Sequence, residues 1–237
     1  MRRRRFRRRG RRFRRRAAGL STKILLNPKQ AKSVVVNLPI LLTYTLDADS
    51  VNYAYASMAI NDIADPSAGG GARRPRGYSK MYDWYSSARC LSTWFHIKVT
   101  GYNGDGQPVR IGYWIDTDSA PADTTLAIGQ RKAMFYKGGK YKTLMIAETS
   151  RSTGLGTAFK GVVDGRKWHR ESDPRDSKWT VTDGANLAAT ELTYMHLYAG
   201  ANSFIGDIGA VYVEVRLSFK VLFFDPVVQT TLEADDV

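Results

Sequence analysis

Residues 211–223 read Val-Tyr-Val-Glu-Val-Arg-Leu-Ser-Phe-Lys-Val-Leu-Phe, and this stretch decides the fold class of the chain. Every second residue is apolar, and Glu214, Arg216 and Lys220 lie among the positions in between. Successive side chains of a β-strand point to opposite faces, so this alternation predicts a long strand with one buried face and one exposed face. A helix would instead repeat its apolar residues with a period of about 3.6.

The same two-residue period recurs along the chain. It is clear at 93–100 and 109–116, and it predicts five further strands at 33–38, 53–60, 143–147, 178–181 and 191–199. Eight strands result. The sequence favours no long helix and allows a short one at 82–87 or 121–129.

The connections between these strands are long and rich in turn residues. Residues 65–78 contain Asp-Pro, Gly-Gly-Gly and Arg-Pro-Arg-Gly, and residues 149–177 contain four glycines and a second Asp-Pro. Connections in compact domains usually have about 4–6 residues, so loops of this length tend to carry function. We therefore expect an all-β, eight-stranded jelly-roll sandwich with long inter-strand loops. An immunoglobulin-like sandwich is the alternative, although its loops are usually tighter.

The N-terminus has a very different composition. Residues 1–16 contain twelve arginines, two phenylalanines and no acidic residue. Like charges repel and the apolar area is small, so we expect a disordered arm. Arginine donates paired hydrogen bonds to phosphate, and such basic arms bind nucleic acid. The predicted nucleic-acid-binding residues are Arg2, Arg3, Arg4, Arg5, Phe6, Arg7, Arg8, Arg9, Arg11, Arg12, Phe13, Arg14, Arg15 and Arg16, continued by Lys23, Lys29 and Lys32.

Charge is segregated between this arm and the rest of the chain. The whole chain has 36 Lys+Arg and 22 Asp+Glu. Without the twelve arginines of the arm, 24 basic and 22 acidic residues remain, a net charge of +2. We predict an arm and hinge at residues 1–22 and one sandwich domain at residues 23–237. No apolar run approaches the ~18 residues of a membrane helix, so no membrane insertion is expected.

A second basic cluster, Arg73, Arg74, Arg76 and Lys80, lies in the Gly/Pro-rich loop. Three interpretations stay open for these side chains: contact with nucleic acid, contact with a sulfated glycan on a cell surface, or plain solvation.

The sequence does not indicate an enzyme. His96, His169 and His196 lack metal-ligand spacing, and the two that fall on strands are expected to be packed or hydrogen-bonded. Cys90 is the only cysteine, which leaves no partner for an intrachain disulfide, and we expect it in the core. We expect no catalytic residue, no cofactor and no metal, although paired aspartates such as Asp47 and Asp49 leave calcium at a subunit contact as an alternative.

Several local patterns follow one another in an order that resembles the capsid proteins of circoviruses and related small viruses with circular single-stranded DNA. After the arginine-rich start come Ala-Ile-Asn-Asp-Ile at 59–63 and Gly-Gly-Gly at 69–71, then residues 82–87 leading into the strand at 91–101. Leu-Thr-Tyr-Met-His-Leu-Tyr-Ala-Gly-Ala-Asn at 192–202 precedes the final strand, which ends in Phe-Phe-Asp-Pro at 223–226. Residues 136–179 have no counterpart in this pattern, and circovirus arms are typically longer and mixed with Pro and Tyr.

This resemblance implies a jelly-roll subunit that self-assembles into an icosahedral shell of about 60 copies around single-stranded DNA. It also implies an inward-facing arm that acts as a nuclear localisation signal, with host nuclear-import receptors and a cell-surface receptor or sulfated glycan as further partners. The protein is then expected in the virion and, during assembly, in the host nucleus. Two alternatives stay open: the coat protein of a satellite-type RNA virus, and a cellular nucleic-acid-binding protein with a basic tail.

Overall fold

A computed structural model of the chain describes residues 32–48, 52–68, 73–103, 108–136, 138–144, 156–164, 180–182, 192–201 and 209–227. The predicted arm and hinge, including Lys23 and Lys29, and the predicted boundary after residue 22 lie outside these ranges. His169 and Asp49 lie outside them as well.

The described residues form nine strands and two short helices. In chain order these are β1 (Ser33–Ala48), β2 (Ala54–Ala59), α1 (Tyr78–Tyr82), β3 (Tyr85–Asn103), β4 (Val109–Asp116), α2 (Leu126–Phe135), β5 (Lys140–Leu144), β6 (Gly156–Asp164), β7 (Thr180–Thr182), β8 (Tyr194–Ala201) and β9 (Gly209–Pro226).

The strands form two antiparallel sheets with the topology of a jelly roll. The first sheet has the order β1-β9-β3-β6, with β7 also paired to β3, and the second has the order β2-β8-β4-β5. The chain crosses from one sheet to the other after each of β1, β2, β3, β5, β7 and β8, as expected for a jelly roll, whereas β4–β5 and β6–β7 are consecutive strands of the same sheet. The all-β jelly-roll prediction is confirmed.

The core lies between the two sheets and is built from the alternation seen in the sequence. In β9 the odd-numbered residues from Val211 to Phe223 are buried, and the even-numbered residues are half-buried or exposed. In β1, which pairs with β9 over its whole length, Leu38, Leu42 and Leu46 are buried. β9 alone therefore supplies seven buried apolar side chains, and its central place in the sheet explains their regular spacing.

Residues 60–63 connect the two sheets. The backbone N–H of Ile60 donates to the carbonyl of Thr193 (2.9 Å), and the Asn61 side-chain oxygen accepts from the N–H of Thr193 (2.8 Å). The hydroxyl of Thr93 on β3 donates to the carbonyl of Ile60. The Ala-Ile-Asn-Asp-Ile segment therefore has a structural role at the edge of β2.

Asp62 closes the turn that follows. Its carboxylate accepts the N–H groups of Ala64 (2.8 Å) and Asp65 (3.3 Å). Burial raises the pKa of Asp62, and those two hydrogen bonds act in the opposite direction. A carboxylate held by local backbone donors is a turn residue, in the manner of an Asx turn.

Several boundaries differ from the sequence-based prediction. The eight-strand count is wrong, because β6 lies within 149–177, a stretch predicted to be a loop. Its alternation is broken where Ala158 and Phe159 are both buried, next to a register shift opposite Ile97 and Lys98. The predicted helix at 82–87 is also wrong: α1 precedes it, and β3 begins at Tyr85.

The two longest shifts are at β1 and β3, and β3 begins eight residues before its predicted start. β1 continues ten residues past its predicted end, and α2 lies mostly C-terminal to the helix predicted at 121–129. Within the described ranges, neither helix is long and apolar enough to cross a membrane.

Candidate nucleic-acid interface

The predicted nucleic-acid-binding residues can be placed in the structure only from Lys32 onward. Lys32 is exposed and directly precedes Ser33, whose partner in the sheet is Phe224 near the end of β9. The segment that carries the arm thus joins the first sheet at the start of β1, an edge strand.

The basic cluster predicted from the loop is exposed, with three members in the turn that leads into α1 and one within α1. Its members are Arg73, Arg74, Arg76 and Lys80, and all four side chains are exposed.

The backbone of this turn is held firmly. The Arg76 N–H donates to the Pro39 carbonyl of β1 (3.0 Å), and Tyr78 donates to the Pro75 carbonyl (3.1 Å). Gly77, the N-cap residue directly before α1, has φ +92°, a conformation that favours glycine. Pro75 and Tyr78 are buried beneath the turn, so the four cations project from a fixed support.

Aromatic rings lie beneath the same turn. The Arg74 guanidinium lies 5.1 Å from the centre of the Tyr78 ring, within cation–π range. Tyr78 packs on Tyr82 (4.8 Å between ring centres), and Tyr82 packs edge-on against Phe223 (5.6 Å). The cluster is therefore linked through aromatic contacts to the core of the first sheet.

Arg73 lies near Tyr44, which is in the second half of β1. Burial raises the pKa of Tyr44 to about 12; the nearby positive charge of Arg73 opposes this rise and Asp65 adds to it. Arg76 contacts β1 at Pro39, seven positions beyond Lys32, which is about 23 Å along a strand. The structure therefore does not bring Lys32 and this cluster together into a single site.

The histidines match the expectation of packed side chains where they are described. His196 is buried, with Nδ1 2.8 Å from the Ser57 hydroxyl and Nε2 2.9 Å from the Asp118 carbonyl. Burial lowers its pKa, which favours the neutral ring. His96 lies on β3 with its ring centre 5.8 Å from that of Trp94. Within the described ranges, no three His, Cys, Asp or Glu side chains group as metal ligands would.

Cys90 is partly buried and packs against the core, at the margin of the position that the sequence predicted. Its sulfur lies 3.4 Å from the Thr93 hydroxyl oxygen, and burial of the thiol raises its pKa to about 11. Because a raised pKa leaves little thiolate near neutral pH, the Cys90 thiol is a weak nucleophile there.

Sequence reasoning missed a second positive surface, which lies on the outward side of the first sheet. Lys98, Lys160, Arg216 and Lys220 are on that side, with Trp94 among them. The sequence pattern placed four of the five, all except Lys160, on the outer face of single strands, but only the register of the sheet shows that they are neighbours.

No protein-family model matches the chain, and a search of curated proteins found no significant match. Several solved virus structures are similar to it in fold. Cocksfoot mottle virus matches with a TM-score of 0.45 at 11% identity, covering 82% of this chain and 96% of that one. Tobacco necrosis virus matches with a TM-score of 0.43 at 14% identity, covering 82% and 97%. The decameric BFDV capsid protein matches with a TM-score of 0.40 at 12% identity, covering 81% and 99%. Matches at these identities and TM-scores do not place the chain in any one of these groups.

Proposed function

We propose that this chain is a viral capsid protein that self-assembles into a small closed shell and packages single-stranded DNA through its arginine-rich arm. One observation carries the proposal: twelve positive charges lie within residues 1–16, whereas the remaining 221 residues have a net charge of +2. A protein that reads a nucleic-acid sequence places its cations on a folded surface that faces the bases. An arm of nearly pure arginine neutralises phosphates without regard to sequence.

The arm is long enough to reach into a packaged genome. Sixteen extended residues span roughly 50–55 Å at about 3.3–3.6 Å per residue. In an icosahedral shell of about 60 copies, twelve arginines from each copy supply about 720 positive charges. Release of counterions from the phosphates would drive packaging, so binding should weaken steeply as salt is added.

The sandwich suits contact between copies because it carries apolar surface outside its core. Phe135, at the end of α2, is 78% exposed, and its chain neighbours Met134 and Tyr136 are also exposed. Met134 lines one surface groove together with the exposed Tyr141 of β5. A contiguous patch of exposed apolar side chains usually marks a surface that binds another molecule. The nearly neutral charge of the body lets copies approach without strong mutual repulsion.

The same arm fits a nuclear localisation signal, because runs of five to eight basic residues are read by import receptors. We include host nuclear import in the proposal for that reason.

The fixed, exposed cluster of Arg73, Arg74, Arg76 and Lys80 is suited to a polyanion such as a sulfated glycan, since guanidinium groups donate paired hydrogen bonds to anionic oxygens.

Particle size tests the proposal against a basic-tailed cellular binding protein. Purified full-length protein should form uniform particles of roughly 15–25 nm in light scattering and negative-stain microscopy, as about 60 chains of this mass at normal protein density would give. Monomers or dimers at every salt concentration would contradict it.

The type of cargo is tested separately. Nucleic acid extracted from the particles should be degraded by DNase and resist RNase. The reverse result would replace the DNA proposal with that of an RNA virus coat protein.

A further inference from the structure

The outward side of the first sheet carries a compact group of cations around one exposed aromatic ring. We call it the basic–aromatic face and define it by Trp94, Lys98, Lys160, Arg216 and Lys220. These residues lie on three adjacent strands, β6, β3 and β9. The register pairs His96 with both Arg216 and Lys160, which puts an arginine and a lysine on either side of it in one row across the sheet.

Trp94 lies at the centre of this face. Its direct partners are the small Ser218 on β9 and the exposed Val162 on β6, and the indole keeps 40% of its surface exposed. Diagonal neighbours in a sheet lie about 7–8 Å away. Because residues two positions from each partner are those diagonal neighbours, the four around Trp94 are three cations and one carboxylate: Arg216, Lys220, Lys160 and Asp164.

The charge of the face is predominantly positive. Glu214 lies within it, 3.4 Å from Arg216 and opposite Lys98 in the register. Asp164 of β6, opposite Ser92 in the register, is a second carboxylate on this side, so four cations and two carboxylates give a net charge of +2. The Arg216 side chain is 58% exposed despite its ion pair, so its remaining donors face solvent.

We propose that the basic–aromatic face is a second binding site for single-stranded nucleic acid, in which an unpaired base stacks on Trp94 and the surrounding lysines and arginine contact phosphates. The proposal rests on the proposed packaging function and adds a defined contact on the folded body to the sequence-independent contact of the arm. Aromatic rings set in a positive surface are how proteins hold single strands without reading their sequence.

The position of the face relative to the arm favours this occupant over a protein partner. β1 adjoins β9 in the same sheet, and Asn37 of β1 is the partner of Lys220. Asn37 is four residues from Ser33, about 13 Å along the strand from the point where the arm-bearing segment enters. A single-stranded nucleic acid held by the arm can therefore continue onto the basic–aromatic face. The cores of protein interfaces, by contrast, are depleted in lysine, and lysines and one arginine surround the ring here.

The test measures binding of fluorescent 30-nucleotide oligo(dT) and oligo(rU) to the full-length protein over a range of salt concentrations. Trp94→Leu should weaken binding of both probes roughly 5- to 150-fold, the usual effect of losing one base–aromatic stack. The double variant Lys160→Gln/Arg216→Gln should lower the slope of log K against log salt by about 1.4, since each lost phosphate contact contributes about 0.7.

Matched controls come from the other sheet. Lys140→Gln/Lys142→Gln removes the same charge from exposed positions of β5, and Tyr55→Leu removes an exposed aromatic ring from β2. Both should leave the affinity and the salt slope unchanged. A 30-base-pair duplex should be insensitive to Trp94→Leu, because its bases are already stacked. Trp94→Phe, which retains a ring, should restore most of the affinity and guards against a folding defect.

Three results would overturn the proposal while leaving the packaging function intact. These are equal binding by wild type and the face variants, an equal loss in the control variants, and an equal effect of Trp94→Leu on duplex. Loss of particles in light scattering with unchanged oligonucleotide binding would assign the face to subunit contact and would also overturn it. Failure of the wild type to bind any probe would instead contradict the proposed function itself.

Discussion

Gly112 lies where an added methyl group has no room. It occupies the middle of β4, between β8 and β5. A Cβ built there would lie 2.4 Å from a ring carbon of Tyr198 and 2.7 Å from the Lys140 carbonyl oxygen. Tyr198 cannot move aside, because it is buried and packs edge-on against Tyr53 (5.7 Å between ring centres). The carbonyl belongs to the neighbouring backbone, so relief would disturb the pairing of β4 with β5.

We therefore expect Gly112→Ala to destabilise the fold. Overpacking of this kind costs about 1–3 kcal/mol. Replacing a glycine by alanine gains only about 0.4–1 kcal/mol from the unfolded chain. The central values leave a net loss of about 1.3 kcal/mol. For a domain of this size, each kcal/mol shifts Tm by about 2–4 °C, so a fall of roughly 3–5 °C is expected, with an upper limit of about 10 °C.

Gly101 on β3 is the matched control. A Cβ there would lie 3.2 Å from a ring carbon of Tyr212, a side chain that is 42% exposed and free to rotate outward. Gly101→Ala should therefore leave Tm within about 2 °C of wild type in thermal unfolding followed by circular dichroism. Equal Tm values for the two variants, or a stabilising Gly112→Ala, would refute the packing of β4 described above.

Two further predictions concern titratable groups. Burial lowers the folded-state pKa of His196 below its unfolded value of 6.5. Between these two pKa values the unfolded chain binds more protons than the folded chain. The free energy of unfolding should therefore fall as the pH drops below about 6.5. His196→Gln should show a smaller fall between pH 7.5 and 5.5 in denaturant titrations; an equal fall would assign the effect to other groups. Cys90, with a pKa of about 11, should react with iodoacetamide at pH 8 many times more slowly in the folded protein than in denaturant. Equal rates in the folded and denatured protein would show that burial does not raise the pKa of Cys90.

The sequence predicted the strands whose alternation is unbroken and missed the one that is interrupted. In β9 the odd positions face the core without exception, and periodicity alone identified it. In β6 the consecutive buried residues Ala158 and Phe159 cancel the pattern, and Gly161 resembles a turn signal although it packs beneath the Phe95 ring. A strand of this kind is specified by its neighbours rather than by its own residues.

The candidate site shows the same division. The cluster from Arg73 to Lys80 is local in the chain, so its charge could be read directly. The basic–aromatic face joins Trp94 to Arg216 and Lys160, which are 122 and 66 positions away in the chain. Their proximity depends on strand order and register, and neither is encoded in a local pattern.

The central claim is that the arginine arm packages nucleic acid while the sandwich forms independently of it. The most direct measurement is the amount of nuclease-protected nucleic acid that co-purifies with full-length protein and with a variant lacking Arg2–Arg16, each checked by circular dichroism. We predict that the truncated protein keeps its β spectrum and loses the protected nucleic acid. Protected nucleic acid at the wild-type level in the truncated protein would contradict the account.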